Sequence, residues 1–423
     1  MRLYDTFTRR KQELPPQPGP IRMYFCGPTV YARAHIGNAR PFVIGMWLRR
    51  WLPERGYDAT LVHNITDIND KIYDAAPGAS AELAVRATEW YLQDTADFGL
   101  GMPDAQPKAT DLVPQIVAAI EQLVQRGYAY EVEGDVYYRV SRFEEYGQLS
   151  GQRPEQVEEQ EPNPRKEDAR DFALWKANKP GEDTSWDSPW GRGRPGWHIE
   201  CSVMAEELLG PAFEIHGGGL DLVFPHHENE IAQSRALGHP FAHVWMHNGM
   251  LRFVGEKMSK SVGNVATIRE AHDRWGRETL LVFFLTAHWS KPIDYSDETL
   301  TSAEARKESL REVFRNPSEP AADGEWERFA AALDDDFNTP EALAIMHSWR
   351  DHELLRRALD VFGLASLAEG TEAPADVREL AERRQAARAN GDFEEGDQLR
   401  AQIDAAGWVV RDVAGGFQLV PKR

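Results

Sequence analysis

The sequence is poor in cysteine, in basic charge and in long apolar runs. Two cysteines among 423 residues cannot form a disulfide framework, so a cytoplasmic location is the default expectation. No stretch approaches a membrane span, and the charged first residues lack the apolar core of a signal peptide. Lys and Arg total 48 against 68 Asp and Glu, a net charge of −20, which argues against indiscriminate nucleic-acid binding. A polyanionic partner would therefore need a local basic patch.

The length and the apolar pattern predict a parallel α/β protein with about three domains. YFCGPTV indicates a strand, residues 36–51 a helix and residues 58–70 the next strand, an order typical of parallel sheets with right-handed crossovers. The polar segment 151–170 predicts a surface loop, and the second half of the sheet is expected beyond a long insertion. After about residue 265 the pattern is mostly helical and ends in a hairpin.

Residue types that commonly bind metal ions are scattered along the chain. Cys201 lies in GWHIECSVM, and FPHHENEIAQS follows it. On a helix, His226 and Glu230 are four residues apart and point to one face. Zinc accepts thiolate, imidazole and carboxylate ligands in a tetrahedral shell. The candidate set is Cys26, Cys201, His226 and Glu230.

Two alternatives to this ligand set remain open from spacing alone. His227 and Glu228 lie on an adjacent face of the same helix and are the second choice. The thiols could also be small buried hydrophobes beside a solvated helix start, because no CxxC motif is present.

A phosphate-binding site is predicted where HIGN opens a helix directly after a strand. Free N–H groups at a helix N-terminus favour an anion, and Gly37 lets a nucleotide approach the backbone closely. His35 and Asn38 are the flanking side chains.

A second phosphate-binding candidate lies far downstream, in GEKMSKSVGN (255–264). Lys257, Ser259 and Lys260 lie there in a Gly-flanked segment, where two ammonium groups could neutralise a polyphosphate. The alternative is an exposed lysine loop.

Taken in order, these segments resemble the class I aminoacyl-tRNA synthetases, and most closely the cysteinyl-tRNA synthetase family. The resemblance covers nearly the whole chain. Its carriers are CGPTVY with HIGN, NITDINDKI (64–72), GRPGWHIECS (193–202), FEIHGGGLDLVFPHHENEIAQS (213–234), WMHNGM (245–250), KMSKSVGN (257–264) and DDDFNTPEA (334–342).

The resemblance implies a Rossmann-like parallel-sheet catalytic domain with a connective insertion, followed by a mostly helical C-terminal region. The expected parts are the first catalytic half (1–110), the insertion (111–191), the second half (192–254), a KMSKS-loop linking domain (255–312), a shortened helical bundle (313–372) and an anticodon-binding-like module (373–423).

Carried over residue by residue, the resemblance implies a zinc-binding role for the four candidate ligands. His35, Asn38, Lys257 and Lys260 are expected to be catalytic, and with Gly37 and Ser259 to bind ATP. Gly27, Thr66, Trp197 and Asp221 are expected to bind the amino acid. For Trp197 the alternative is a core aromatic residue, and for Asp221 a turn residue.

The implied reaction is the ATP-dependent activation of cysteine and its transfer to tRNA(Cys). Magnesium is expected with ATP, and one zinc ion per chain. Zinc would favour a thiolate over the hydroxyl of serine, where packing alone discriminates by roughly 10–200-fold. The substrate sulfur is expected to join the zinc ligands or to displace one of them, and Glu230 is the ligand expected to be displaced. A monomer without membrane contact is expected.

Three features depart from the family pattern. Asn38 replaces the histidine that ends the stricter HIGH signature, and it can donate a hydrogen bond but carries no charge. Asn69 replaces a more usual aspartate. The stretch between DDDFNTPEA and VFGLASL (361–367) is short for the family's bundle.

The C-terminal segment leaves its RNA contacts open. Its predicted helix 376–389 carries four arginines, which with Trp408 could contact an anticodon. The alternative is a solvated helix with a core tryptophan. Rival functions are a ligase that joins cysteine to a small amine, as mycothiol ligase does, and a catalytically silent relative that binds tRNA.

Overall fold

The computed structural model describes residues 1–152, 162–253, 266–369, 373–413 and 416–421. The strands are β1 (Arg2–Asp5), β2 (Arg10–Glu13), β3 (Pro20–Phe25), β4 (Asp58–His63), β5 (Ala129–Val132), β6 (Asp135–Tyr138), β7 (Phe172–Ala177), β8 (Gly193–Pro195), β9 (Ala212–Gly219), β10 (Phe241–Asn248), β11 (Leu251–Phe253), β12 (Ile293–Tyr295), β13 (Trp408–Val413) and β14 (Gly416–Pro421).

The helices alternate with the strands in the first half and dominate the second half. They are α1 (Ile36–Glu54), α2 (Asp70–Ala75), α3 (Ser80–Ala96), α4 (Val113–Gln125), α5 (Trp197–Leu209), α6 (Glu228–Ala236), α7 (Ile268–Trp275), α8 (Arg277–Leu285), α9 (Asp297–Val313), α10 (Glu325–Asp334), α11 (Thr339–Ser348), α12 (His352–Val361), α13 (Ala375–Ala389) and α14 (Phe393–Ala405).

A four-stranded parallel sheet forms the centre of the catalytic part. Its strand order is β10-β9-β3-β4, so β3 and β4 from the first half pair directly with β9 and β10 from beyond the insertion. The residues on both faces of these strands are largely buried, as is usual for a parallel sheet covered on both sides. The predicted α/β class, with an insertion and a mostly helical C-terminal region, is confirmed.

Helix α1 is buried along most of its length and packs on β3, β4 and β9. Its buried residues lie on every side, as expected of a helix enclosed between the sheet and the C-terminal helices. The prediction that it follows β3 directly is wrong, because residues 26–35 lie between Phe25 and the first helical residue. Pairing of this segment with the chain around Thr66 holds it in place: the Val30 N–H donates to Thr66 O at 3.1 Å.

The insertion carries a separate antiparallel sheet in the order β5-β6-β7-β8. The β5–β6 hairpin turns at Glu133 and Gly134, both with positive φ, as their sequence predicts. The predicted surface loop 151–170 lies partly outside the described residues, which omit 153–161.

The C-terminal end forms a module of its own, residues 373–413 and 416–421, built from α13, α14 and the β13–β14 hairpin. Val377, Ala381, Ile403 and Trp408 form its small apolar core. Trp408 is therefore a core residue, as the alternative interpretation of this segment predicted. Among the described helices of the whole chain, none is long and apolar enough to cross a membrane.

Candidate active site and metal centre

A cavity of about 370 Å³ opens at the carboxyl end of the parallel sheet. Strands β3, β9 and β10 end here at Phe25, Gly219 and Asn248, and this edge is where open α/β sheets bind ligands. Seven residues singled out from the sequence line the cavity: Cys26, Gly27, His35, Gly37, Asn38, Trp197 and Asp221.

The four candidate zinc ligands converge in a buried cluster at the floor of this cavity, where Cys26 lines the cavity and the other three lie behind it. Their donor atoms all lie within 4.8 Å of one another, and all four residues are buried. Cys26 Sγ is 3.8 Å from both Cys201 Sγ and Glu230 Oε1, and His226 Nε2 is 3.1 Å from the same carboxylate oxygen. Cys26 follows β3, whereas α5, the turn Val223–His227 and α6 supply the other three.

A second set of four donors overlaps the first, consisting of Cys26, His216, His227 and Glu230. His227 Nε2 lies 3.3 Å from Cys26 Sγ, so this second-choice ligand does reach the cluster. Glu228 does not, because its carboxylate accepts hydrogen bonds from the N–H groups of Gly147 and Ser150, each at 2.8 Å.

Further histidines, which the sequence reasoning missed, hold the cluster in orientation. His216 Nε2 is 2.8 Å from Glu230 Oε2, and His198 Nδ1 is 3.0 Å from His226 Nδ1. His247 Nε2 lies 2.7 Å from His227 Nδ1. Such partners fix the ring orientation of a metal ligand. For His216 and His247 the available signal was their position within β9 and β10, two strands rich in apolar or small residues.

Burial favours the uncharged forms of Cys26, Glu230 and His226. It raises the pKa of the Cys26 thiol and of the Glu230 carboxyl well above their ordinary values, and it lowers the pKa of His226 well below. In the part of the chain that the structure describes, Glu230 has only histidines as ion-pair partners. Two thiols, an imidazole and a carboxylate without a lysine or arginine fit a bound divalent cation.

The start of α1 forms the opposite wall of the cavity. His35 is the N-cap residue, and its side chain makes no capping hydrogen bond. A Cβ at Gly37 would lie 2.9 Å from the His35 ring, so that ring would have to shift to admit a side chain here. The half-buried Asn38 follows. This wall therefore offers a compact helix start to a ligand.

Lys257, Ser259 and Lys260 lie outside the described residues, which omit 254–265. The residues on either side of this stretch are at the cavity. Phe253 lines it, and the Ile36 N–H donates to Ala266 O at 3.0 Å. The Ile268 N–H donates to Ala34 O at 2.9 Å, which joins α7 to the residues before α1.

An ion-pair cluster strengthens this junction. The buried Asp94 accepts hydrogen bonds from Arg33 on the cavity wall, at 2.9 Å, and lies 2.8 Å from Arg269 on α7. One carboxylate thus ties the residues before α1 to those after the KMSKS segment.

The four amino-acid-binding candidates occupy different positions. Trp197 stacks on the His226 ring with centroids 4.3 Å apart, and Asp221 lies at the cavity mouth. Gly27 approaches Asn64 so closely that a Cβ would lie 1.6 Å from the Asn64 carbonyl oxygen. Thr66 is buried beneath the Pro28–Val30 segment and does not line the cavity.

Known protein families match the chain along most of its length. The profile described as "tRNA synthetases class I (C) catalytic domain" matches residues 13–305, and a "DALR domain" matches 328–354. The profile "Cysteinyl-tRNA ligase anticodon binding domain" matches 371–419.

Two individual relatives that match nearly the whole chain are cysteine–tRNA ligases. The chain is 44% identical over 453 residues to a cysteine–tRNA ligase of Laribacter hongkongensis, covering 98% of both chains. It is 44% identical over 440 residues to a cysteine–tRNA ligase of Thermosipho africanus, covering 94% of this chain and 93% of the other.

Solved structures support the fold. A methionyl-tRNA synthetase of Mycobacterium tuberculosis bound by methionyl-adenylate aligns over 81% of this chain and 84% of its own, with a TM-score of 0.58 at 16% identity.

Proposed function

The chain belongs to the cysteine–tRNA ligase family of class I aminoacyl-tRNA synthetases, and on this premise we propose that Cys26, Cys201, His226 and Glu230 form the zinc site that selects its amino acid. The enzyme joins cysteine to tRNA at the expense of ATP, and its partners are cysteine, ATP and tRNA. The convergence of four buried donor atoms within 4.8 Å carries the proposal.

The donor chemistry favours this ligand set over the overlapping one. It contains both thiols of the chain, and soft thiolate ligands suit zinc. When bound, the ion would supply a soft Lewis acid that a substrate thiolate ligates better than a serine hydroxyl. His216 holds the Glu230 carboxylate from the other side, and it is better placed to orient that ligand than to replace Cys201.

We propose that the two opposite walls of the cavity have different roles in activation, one binding ATP and the other the amino acid. The helix start with His35, Gly37 and Asn38 takes the phosphates of ATP, together with Lys257, Ser259 and Lys260. Magnesium accompanies ATP as part of the substrate. The cysteine carboxylate attacks the α-phosphorus and pyrophosphate leaves, so alignment and charge compensation are the main contributions of the protein.

The substrate cysteine would lie between these walls. Trp197 and Asp221 are proposed to flank its amino group, and the Gly27 backbone to pack against its side chain, since all three line the cavity. For Thr66 we propose an indirect role, because this residue supports the Pro28–Val30 segment from below.

The predicted domain boundaries are retained as part of the proposal, with the module from residue 373 placed at the anticodon. Zinc and magnesium as the ions, a monomeric state and a cytoplasmic location stay predictions. Neither the small-amine ligase nor the silent relative is favoured, because the family match extends to the anticodon-binding domain.

The test measures metal and amino-acid selection on the same preparation. We expect about one zinc per chain by elemental analysis, with pyrophosphate–ATP exchange that depends on cysteine and is weak with serine or alanine. Adding tRNA(Cys) should yield cysteinyl-tRNA. An active, selective preparation without zinc would refute the metal site, whereas transfer of cysteine to a small amine would favour the rival ligase.

A further inference from the structure

A second cavity, of about 190 Å³, adjoins the active-site cavity on the side of the insertion. The two cavities share three wall residues, Thr29, Lys71 and Trp197. His35, Gly37 and Asn38 line only the first. The second cavity therefore meets the end of the active site where the amino acid is proposed to lie, and not the end proposed for the phosphates of ATP.

The charges around this second cavity are almost all neutralised by partners. Asp70 pairs with Lys176 at 2.7 Å and also with Arg194. Arg194 additionally pairs with Glu182 at 3.1 Å and is buried. Lys176 and Arg194 are therefore both paired with carboxylates of the protein.

Lys71 differs from its neighbours. It is exposed, its ammonium group lies 5.6 Å from the centre of the Tyr31 ring, and no carboxylate lies within ion-pair distance of it among the described residues. Asn69 caps the turn that carries it, since the Asn69 side chain accepts a hydrogen bond from the Lys71 N–H at 3.1 Å. The backbone at Lys71 is therefore fixed while its side chain is available to a ligand.

We propose that Lys71 binds a backbone phosphate of the terminal nucleotide of tRNA and so holds the 3′ end in the second cavity beside Trp197. A chain with a net charge of −20 needs unneutralised cations wherever a polyanion enters. This inference rests on the proposed function, because the second substrate must approach the amino-acid end of the adenylate.

In the transfer step, a terminal ribose hydroxyl oxygen forms an ester bond with the cysteinyl carbonyl carbon. The bond between that carbon and the phosphate oxygen breaks, and AMP leaves while its phosphate takes the hydroxyl proton. Lys71 would orient the ribose through its phosphate contact and would take no part in activation.

The experiment compares Lys71→Gln and Lys71→Arg with the control Lys179→Gln, which changes an exposed lysine of the insertion outside this cavity. For Lys71→Gln we expect single-turnover transfer from preformed cysteinyl-adenylate to fall about tenfold at subsaturating tRNA, with cysteine-dependent pyrophosphate exchange changed less than twofold. Lys71→Arg should recover most of the transfer rate. The slope of log K for tRNA against log salt should fall by about 0.7 in Lys71→Gln.

Each other outcome overturns the inference. Equal losses in exchange and transfer would place Lys71 in activation, and transfer within twofold of wild type would exclude the phosphate contact. A loss of the same size in Lys179→Gln would indicate a diffuse charge effect. If the wild-type protein exchanges pyrophosphate but never acylates tRNA, the proposed function fails, and that failure is distinct from failure of the Lys71 variant.

Discussion

The cavity floor and the C-terminal module differ in how many polar side chains they bury and in what those side chains contact. At the floor, buried thiols, imidazoles and a carboxylate contact mainly one another, and they come from segments between Cys26 and His247. In the module, the described core is apolar, and its buried charge, Arg384, is paired with Asp412 at 2.7 Å.

This difference distinguishes a region whose side chains bind ligands from a region whose side chains stabilise the fold. A buried polar cluster is costly unless a ligand or ion satisfies it, so the floor depends on the surrounding scaffold and on what it binds. The module is built from contacts within about fifty residues. Changes in one region should therefore leave the other largely intact.

The largest effect is expected from Cys201→Ser. This change removes one of the two thiols from the first ligand set but none from the second. We expect the purified variant to lose zinc and cysteine-dependent exchange, while the melting of the module is unchanged. Elemental analysis and pyrophosphate exchange measure this.

The matched control is His216→Gln, which removes a ligand of the second set only. Zinc should remain bound with an affinity weakened roughly 10–100-fold, as for loss of a residue that orients a ligand. Zinc retained in Cys201→Ser but lost from His216→Gln would show that the second set is the correct one.

A smaller effect is expected from Arg384→Met in the module. It removes a two-pronged ion pair with Asp412, at 2.7 and 3.1 Å, while an apolar side chain of similar length keeps part of the packing. The module should lose about 2 kcal/mol of stability. Aminoacylation should fall while pyrophosphate exchange stays within twofold; equal losses in both would contradict the independence of the two regions.

Acid should destabilise the cavity region before the module. Burial lowers the pKa of His63, on the cavity wall, to about 4, whereas its pKa in the unfolded chain is near 6.5. The full stability that the neutral form allows is therefore present only above pH 6.5. As the pH falls from 6.5 towards 4, the unfolded state binds the proton more readily and this stability is lost, on the order of 2 kcal/mol by pH 5.

The module has no histidine, and Arg384 lowers the pKa of its Asp412, so its acid loss begins only below about pH 4. Urea unfolding at pH 7 and pH 5 measures the difference. His63→Gln should reduce the pH-dependent loss; the same loss in wild type and variant would rule His63 out as its source.

The smallest effect is expected from Phe393→Ala. Phe393 is 61% exposed, and the Arg388 guanidinium lies 5.9 Å from its ring, an arrangement suited to stacking an unpaired base. We expect the KM for tRNA to rise about fivefold to tenfold with kcat and stability unchanged. Leu208→Ala, at an exposed apolar residue of the catalytic part, is the control and should have no effect.

Much of the fold could be predicted from local pattern. The β5–β6 and β13–β14 hairpins, α13 and the parallel start of the sheet occur where turn residues and apolar periodicity indicate them. Candidate ligands could be selected because two cysteines and a histidine- and glutamate-rich segment are rare residue types in a suggestive order.

Other features could not be predicted from neighbours in sequence. Glu228 and His227 are adjacent, yet one accepts backbone hydrogen bonds from the insertion and the other reaches Cys26. The sequence left two interpretations open for Trp408, an RNA contact and a core residue, and only the packing of the module decides for the core. The segment between β3 and α1 pairs with residues around Thr66, a contact between separate segments that no local rule indicates.

The sequence by itself determined which segments are helical or extended and which side chains have the chemistry to hold a metal and a nucleotide, because backbone preference and donor type belong to residues and their near neighbours. Only the tertiary structure decided which of those side chains share a cavity and which are satisfied elsewhere. Burial and convergence depend on packing between segments that are far apart in the sequence, such as Cys26 and Glu230, which are 204 residues apart.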